Sequence, residues 1–163
     1  MKIEQSNRQK ITPFLWFDTQ AEEAMHFYMS IFKNSKVNAI SRYGEAGPGP
    51  AGSVLTCVFT LEGLQIMALN AGPMFKLTEA FSLLINCESQ EEVDYYWNNL
   101  TKGGEESQCG WLKDKFGLSW QVIPTLLGEM LQDKDAAKAG KVMQAMLKMR
   151  KIDIAKLKEA YGV

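Results

Sequence analysis

Phe14-Leu15-Trp16-Phe17-Asp18-Thr19-Gln20-Ala21-Glu22-Glu23-Ala24-Met25-His26-Phe27-Tyr28 joins a short apolar run, a polar turn and a helix-period stripe, and the pattern recurs 69 residues further on. That displacement lays Leu83-Leu84-Ile85-Asn86 under Phe14-Leu15-Trp16-Phe17, and Glu91-Glu92-Val93 under Glu22-Glu23-Ala24. It also lays Tyr96-Trp97 under Phe27-Tyr28 and Leu100 under Ile31. Each copy reads as a strand, a turn and an amphipathic helix with two adjacent aromatics, and such repetition constrains architecture more firmly than local propensity does. In the first copy the stripe Ala24, Phe27, Tyr28, Ile31 and Phe32 spans a helix over Gln20–Lys33. In the second, Ser89 followed by Glu92 has the spacing of a capping box and marks the helix start.

Working outward, the first helix is followed by β-type runs at Lys36–Tyr43, Ser53–Leu61 and Leu64–Asn70, with a Gly/Pro loop over Gly44–Gly52 and a hairpin through Glu62-Gly63. After the second helix come Glu105–Cys109, Trp111–Lys113 and Leu118–Ile123, with a turn at Asp114-Lys115-Phe116-Gly117. The sequence therefore predicts an α+β fold of two βαβββ modules, residues 10–70 and 79–123, forming a curved mixed sheet around a cleft. A helical tail over 124–163 completes a single domain of 1–163. In the tail, Leu126, Leu127, Met130 and Leu131 precede a helix opening near Asp133. That helix carries Val142, Ala145, Met146 and Met149 on one stripe and Lys138, Lys141 and Lys148 on its polar side. Asp153 is positioned to cap a last helix, with Ile152 and Leu157 as its hydrophobic staple and Ile154, Leu157 and Tyr161 on its buried side.

Composition narrows the function. The chain has 163 residues, 46% hydrophobic, with 18 Lys+Arg against 19 Asp+Glu, so it offers no clustered positive charge for a nucleic acid. No run approaches the roughly 20 apolar residues of a membrane span, and MKIEQSNRQK has no apolar segment of a secretory signal, so a cytoplasmic protein is expected. Cys57, Cys87 and Cys109 form no CxxC pair and read as reduced thiols. His26 is the one histidine, and its helical phase turns it away from the apolar stripe toward solvent. Nucleophilic triads, imidazole relays and His-rich metal sites are thereby set aside.

Few motifs survive their context. Gly47-Pro48-Gly49-Pro50-Ala51-Gly52 satisfies G-x-G-x-x-G, yet its prolines lack the N–H donors a phosphate needs and a β-type run follows it. It reads as an inter-strand loop. Trp97 lies in the buried stripe of the second helix, whereas Trp111, beside Gly110, is free to serve as a ligand platform. Cys109 has no neighbouring histidine or helix N-terminus to activate it, and Asp114-Lys115 reads as a solvated turn.

The paired βαβββ pattern resembles the vicinal oxygen chelate superfamily, which includes glyoxalase I, bleomycin-resistance proteins and extradiol dioxygenases. Thr12-Pro13-Phe14-Leu15-Trp16-Phe17, the Glu22-Glu23-Ala24 and Phe27-Tyr28 helix, and the string from Cys109 through Trp120 are similar to its PhnB-like branch, labelled 3-demethylubiquinone 3-methyltransferase-like. The resemblance extends to the tail around Lys141-Val142-Met143-Gln144-Ala145-Met146. It implies His and Glu metal ligands on the first and last strands of each module, and here those positions fall at Pro13, Ala68, Ser82 and Gln121. Pro and Ala offer no side-chain donor, and neutral Ser and Gln oxygens are poor divalent ligands, so no metal and no cofactor are expected.

The reading that follows is a metal-independent small-molecule-binding protein whose cleft takes an apolar or aromatic ligand through Leu15, Phe17, Met67, Asn70, Ser82, Trp111 and Gln121. Alternation from Pro13 puts Leu15 and Phe17 in the cavity and leaves Phe14 and Trp16 under the helix. The alternatives are an enzyme of the same superfamily, by methyl transfer or lyase/isomerase chemistry, and a homodimeric interaction module with an idle cleft. A homodimer is compatible with all three.

Overall fold

A computed structural model describes residues 9–163. The chain divides into two compact units, the first ending at Leu77 and the second beginning at Thr78. The first unit runs β1 (Phe14–Phe17), α1 (Ala21–Ile31), β2 (Ser35–Arg42), β3 (Val54–Leu61) and β4 (Leu64–Asn70). Its sheet has the order β1-β4-β3-β2, with β1 parallel to β4 and the other pairs antiparallel. The second runs β5 (Ser82–Cys87), α2 (Gln90–Leu100), β6 (Glu105–Glu106), β7 (Trp111–Lys113) and β8 (Ser119–Pro124), in the order β5-β8-β7-β6 with β5 parallel to β8. The same topology twice over is what the repeat predicts.

Local chemistry explains the elements. Glu62 and Gly63 both take positive φ, 46° and 85°, which is the two-residue turn that matches the twist of β3 and β4. Ser89 accepts from the Glu92 N–H at 3.3 Å, as the capping box requires, whereas the Glu92 carboxylate reaches one residue further back to the Glu88 N–H at 2.7 Å. The run expected over Glu105–Cys109 pairs only at Glu105 and Glu106. Cys109 and Gly110 take φ of 58° and 84°, turning the chain so that their N–H groups donate to Met149 and Arg150 carbonyls rather than to a strand.

Helices α1 and α2 bury the expected faces: Ala24, Tyr28 and Ile31 in one, Val93, Trp97 and Leu100 in the other, with His26 exposed and Phe27 half-buried. Tyr28 stacks on Phe59 of β3 with ring centroids 6.4 Å apart, which identifies the face of the first sheet that α1 covers. The tail forms α3 (Thr125–Leu131), α4 (Ala136–Met146) and α5 (Ile154–Tyr161). Asp135, not Asp133, caps α4, and Asp153 caps α5 through the Lys156 N–H at 3.1 Å. Leu127, Met130, Val142, Met149, Ile152 and Leu157 make the core of this tail, with Ala145, Met146 and Tyr161 packed against it. Among the described residues, no helix is long and apolar enough to cross a membrane.

Candidate functional site

Strand register sorts the sequence-derived site residues onto two kinds of surface. In the first sheet Leu15 pairs with Ala68 and Phe17 with Asn70, while Cys57 pairs with Ala68 and Phe59 with Ile66. All of these share the face on which Tyr28 lies, and Leu15 and Phe17 are 1% and 4% exposed. The expected alternation is therefore exchanged: Leu15 and Phe17 pack beneath α1, and Phe14, Trp16 and Met67 lie on the helix-free face. The cause is energetic, because a helix laid over β3 and β4 needs the continuous apolar set Leu15, Phe17, Phe59 and Ile66 beneath it. Trp16 on the free face donates its indole N–H to the Gly72 carbonyl at 2.9 Å and meets the edge of Phe75.

Asn70 serves the fold. Its side-chain oxygen accepts the Ala21 N–H at 2.8 Å and its amide donates to the Val54 carbonyl at 3.1 Å, tying the start of α1 to β4 and β3. It also borders a cavity of about 600 Å³ walled by Asp18, Glu22, Arg42, Tyr43 and the Pro48–Pro50 loop. The Tyr43 hydroxyl donates to the Asn70 carbonyl at 2.6 Å, and Arg42 stands 3.8 Å from Glu22. The Gly47–Gly52 stretch is thus the β2–β3 connection, folded onto the Tyr43 ring so closely that a Cβ at Gly49 would lie 2.5 Å from it.

The second sheet brings the remaining candidates together. Trp111 pairs with Gln121, Lys113 with Ser119, and Ser82 with Ser119, so Ser82, Trp111, Lys113, Ser119 and Gln121 share the face opposite buried Leu112, Trp120 and Val122. The Gln121 amide donates to the Ser82 hydroxyl at 2.9 Å. Beside this pair a smaller cavity of about 180 Å³ is bordered by Glu79, Glu105, Glu106, Trp111, Lys113 and Ser119. Lys113 is ion-paired with Glu79 and lies 4.0 Å from Glu105. That pairing holds the Glu79 carboxyl below, and the Lys113 ammonium above, their ordinary values. Ser119 is 1% exposed and its hydroxyl has no hydrogen-bond partner.

Sequence reasoning passed over Lys113, Ser119 and Glu105. The available signal was period two: counting back from Gln121 reaches Ser119, and pairing β7 to β8 then places Lys113 beside it. Asp114 also differs from its expectation as a solvated turn. It is 3% exposed and accepts from the Phe116 and Leu118 N–H groups and the Trp120 indole.

The metal positions implied by the resemblance do not fit a divalent ion. Ala68 has no donor and lies beneath α1, and Ser82 and Gln121 are neutral and bonded to one another. Among the described residues, no three His, Cys, Asp or Glu side chains converge on a point that could hold a metal.

The family described as 3-demethylubiquinone-9 3-methyltransferase matches residues 9–123. A PhnB protein from Bacillus cereus is 41% identical, with a TM-score of 0.67, over 72% of this chain and 100% of its own. Protein PA1353 from Pseudomonas aeruginosa is 22% identical, with a TM-score of 0.61, over 72% of this chain and 98% of its own. The fosfomycin resistance protein FosX from Listeria monocytogenes, solved with Mn(II) and sulfate, is 19% identical, with a TM-score of 0.56, over 78% of this chain and 100% of its own. No curated protein matches the chain. The family match stops at Ile123, so the resemblance expected around Lys141–Met146 lies outside it.

Proposed function

Because the chain belongs to the 3-demethylubiquinone-9 3-methyltransferase family, a PhnB-like branch of the glyoxalase or vicinal oxygen chelate superfamily, we propose that it is a metal-independent protein that binds a small apolar or aromatic molecule. The binding surface in this reading is the helix-free face of the second sheet. The observation that carries it is the hydrogen-bonded Ser82–Gln121 pair beside Trp111. A half-buried indole next to a few fixed polar atoms is the composition of a small-molecule site, and the same neutral oxygens are poor ligands for a divalent ion.

Leu15, Phe17 and Asn70 then act as support, since they hold α1 on its sheet, and Met67 belongs to the helix-free face of the first sheet. The chain is read as a homodimer in this proposal, which sedimentation at micromolar concentration would test by mass. Methyl transfer is the second reading, and the family's description is what favours it. Its weakness is that the one glycine-rich stretch is a β2–β3 loop with prolines at two of the positions a phosphate would approach.

Native mass spectrometry before and after denaturation, run with elemental analysis of the purified protein, tests the proposal. The expected result is an organic molecule released on unfolding and no stoichiometric divalent metal. A stoichiometric metal, or saturable binding of S-adenosylmethionine with methyl transfer, would replace it with the enzyme reading.

A further inference from the structure

The small cavity beside Trp111 has an unusual balance of charge and one orphaned polar atom. Two carboxylates border it on this face of the sheet, Glu79 and Glu105, whereas the Glu106 carboxylate lies on the opposite face with Leu112, where it accepts from the Trp97 indole at 3.1 Å. Lys113 answers both, paired with Glu79 and 4.0 Å from Glu105. One cation against two carboxylates leaves one negative charge at the rim. Glu105 is 79% exposed at its side chain and reaches Lys113 only at 4.0 Å, which leaves it with the weaker commitment of the two.

The floor carries the independent signal. Ser119 is 1% exposed, lines the cavity, and its hydroxyl finds no partner, although a buried hydroxyl left unpaired forfeits the hydrogen bonds it would make to water. Native folds leave few such groups, and an orphan facing a cavity is explained when an occupant completes its hydrogen bond. The wall includes the Trp111 indole, whose ring attracts cations. A volume of about 180 Å³ is of the size that admits a single ring, a cavity of about 150 Å³ being enough for benzene.

We propose that this cavity receives a small organic monocation, a primary ammonium carried on an aromatic body, with Glu105 balancing its charge, the Ser119 hydroxyl accepting an N–H and Trp111 packing against the ring. A bare metal ion is disfavoured by the same residues, because among those described no three metal-ligating side chains converge. The inference rests on the small-molecule reading and narrows it from an apolar or aromatic ligand to a cationic aromatic one.

Calorimetric titration of the intact protein with benzylamine, benzyl alcohol and benzoate at low ionic strength is the test. The three probes share a ring and differ in charge. Benzylamine is expected to bind at least ten-fold more tightly than benzyl alcohol, and benzoate not at all. Ser119→Ala and Glu105→Gln are each expected to weaken benzylamine about three- to ten-fold with no loss of thermal stability, since neither side chain holds the fold together. Equal or tighter binding of benzyl alcohol or benzoate overturns the cation proposal and leaves the small-molecule reading standing. Benzylamine binding that ignores both substitutions places the amine elsewhere and overturns it as well. If none of the probes binds, the proposal fails, and the co-purification experiment still decides the broader reading on its own.

Discussion

The indole N–H of Trp120 donates to the Asp114 carboxylate at 2.8 Å, and both residues are almost fully buried. The other carboxylate oxygen accepts the Phe116 N–H at 2.8 Å and the Leu118 N–H at 3.1 Å, so one side chain closes the turn and fixes the first residues of β8. Through that strand it also sets the position of Ser119 and Gln121, which neighbour Trp120 on the opposite face.

Asp114→Ala leaves three buried or half-buried donors without their acceptor and is expected to lower the unfolding free energy by about 3 kcal/mol. Asp114→Asn keeps one acceptor oxygen and turns an amide N–H toward a donor, for an expected loss of about 1–2 kcal/mol. Urea unfolding measures both. A midpoint for Asp114→Asn indistinguishable from the parent would show that the turn is held without the second carboxylate oxygen.

Two glycines make opposite predictions. At Gly110, with φ of 84°, an added Cβ would stand 2.6 Å from the Ile123 side chain and 2.9 Å from the Val122 carbonyl. Gly110→Ala is expected to destabilise by about 2–4 kcal/mol through strain and overpacking together. At Gly140, inside α4, a Cβ meets nothing within 4 Å, and Gly140→Ala is expected to stabilise by about 0.5–1 kcal/mol through helix propensity. Thermal melts of the two variants should move in opposite directions, and a shift of the same sign would contradict the local geometry.

Cysteine reactivity follows burial. Burial, with Glu22 adding to it, pushes the Cys57 thiol up to about 11, and burial pushes Cys87 up to about 12 with help from Glu92 and Glu88. A thiol of pKa about 11 is only about 0.1% thiolate at pH 8, and both side chains lie in the core. Half-buried Cys109 should therefore be the first to be alkylated by iodoacetamide in the folded protein, with Cys57 and Cys87 following only in denaturant. Mass mapping of a time course reads the order. Labelling of Cys87 before Cys109 would mean that the β5–α2 junction opens more easily than the Cys109 turn.

Much of the fold was legible because its periodicities are strong. The 69-residue repeat, the α2 capping serine and the Glu62-Gly63 turn each have a short-range physical cause that the residues themselves display. The site was less legible for one reason repeated at several positions. Period two reveals which residues share a face of β1 without revealing which face the helix takes, and an apolar run such as Phe14-Leu15-Trp16-Phe17 offers no polar residue to break the tie. In the second sheet Ser82 and Gln121 supply that polar mark, which is why Ser82, Trp111 and Gln121 do share one face. Asp114 eluded the sequence because its partner, Trp120, is a core indole whose N–H demand is invisible until the turn is closed.

The tail lies beyond the residues that the family match covers, and side chains of α2 hold it to the rest of the second unit. Gln90, at the start of α2, donates to the Ile152 carbonyl at 3.1 Å and accepts the Ile154 N–H at 2.8 Å, bracketing Asp153, the cap of α5. Nearby, Lys151 pairs with Asp94 at 2.6 Å, and the Cys109 and Gly110 N–H groups end on tail carbonyls. Gln90→Ala is expected to lower local stability by about 1–2 kcal/mol, the value of two hydrogen bonds at a half-buried site. Hydrogen exchange should then quicken at Ile154, Cys109 and Gly110 together, with the amides of β3 and β4 unchanged. Faster exchange at Ile154 alone would show that the Cys109–Gly110 turn keeps its shape without the strap, and unchanged exchange throughout would assign the docking to the apolar contacts of Ile152 and Leu157.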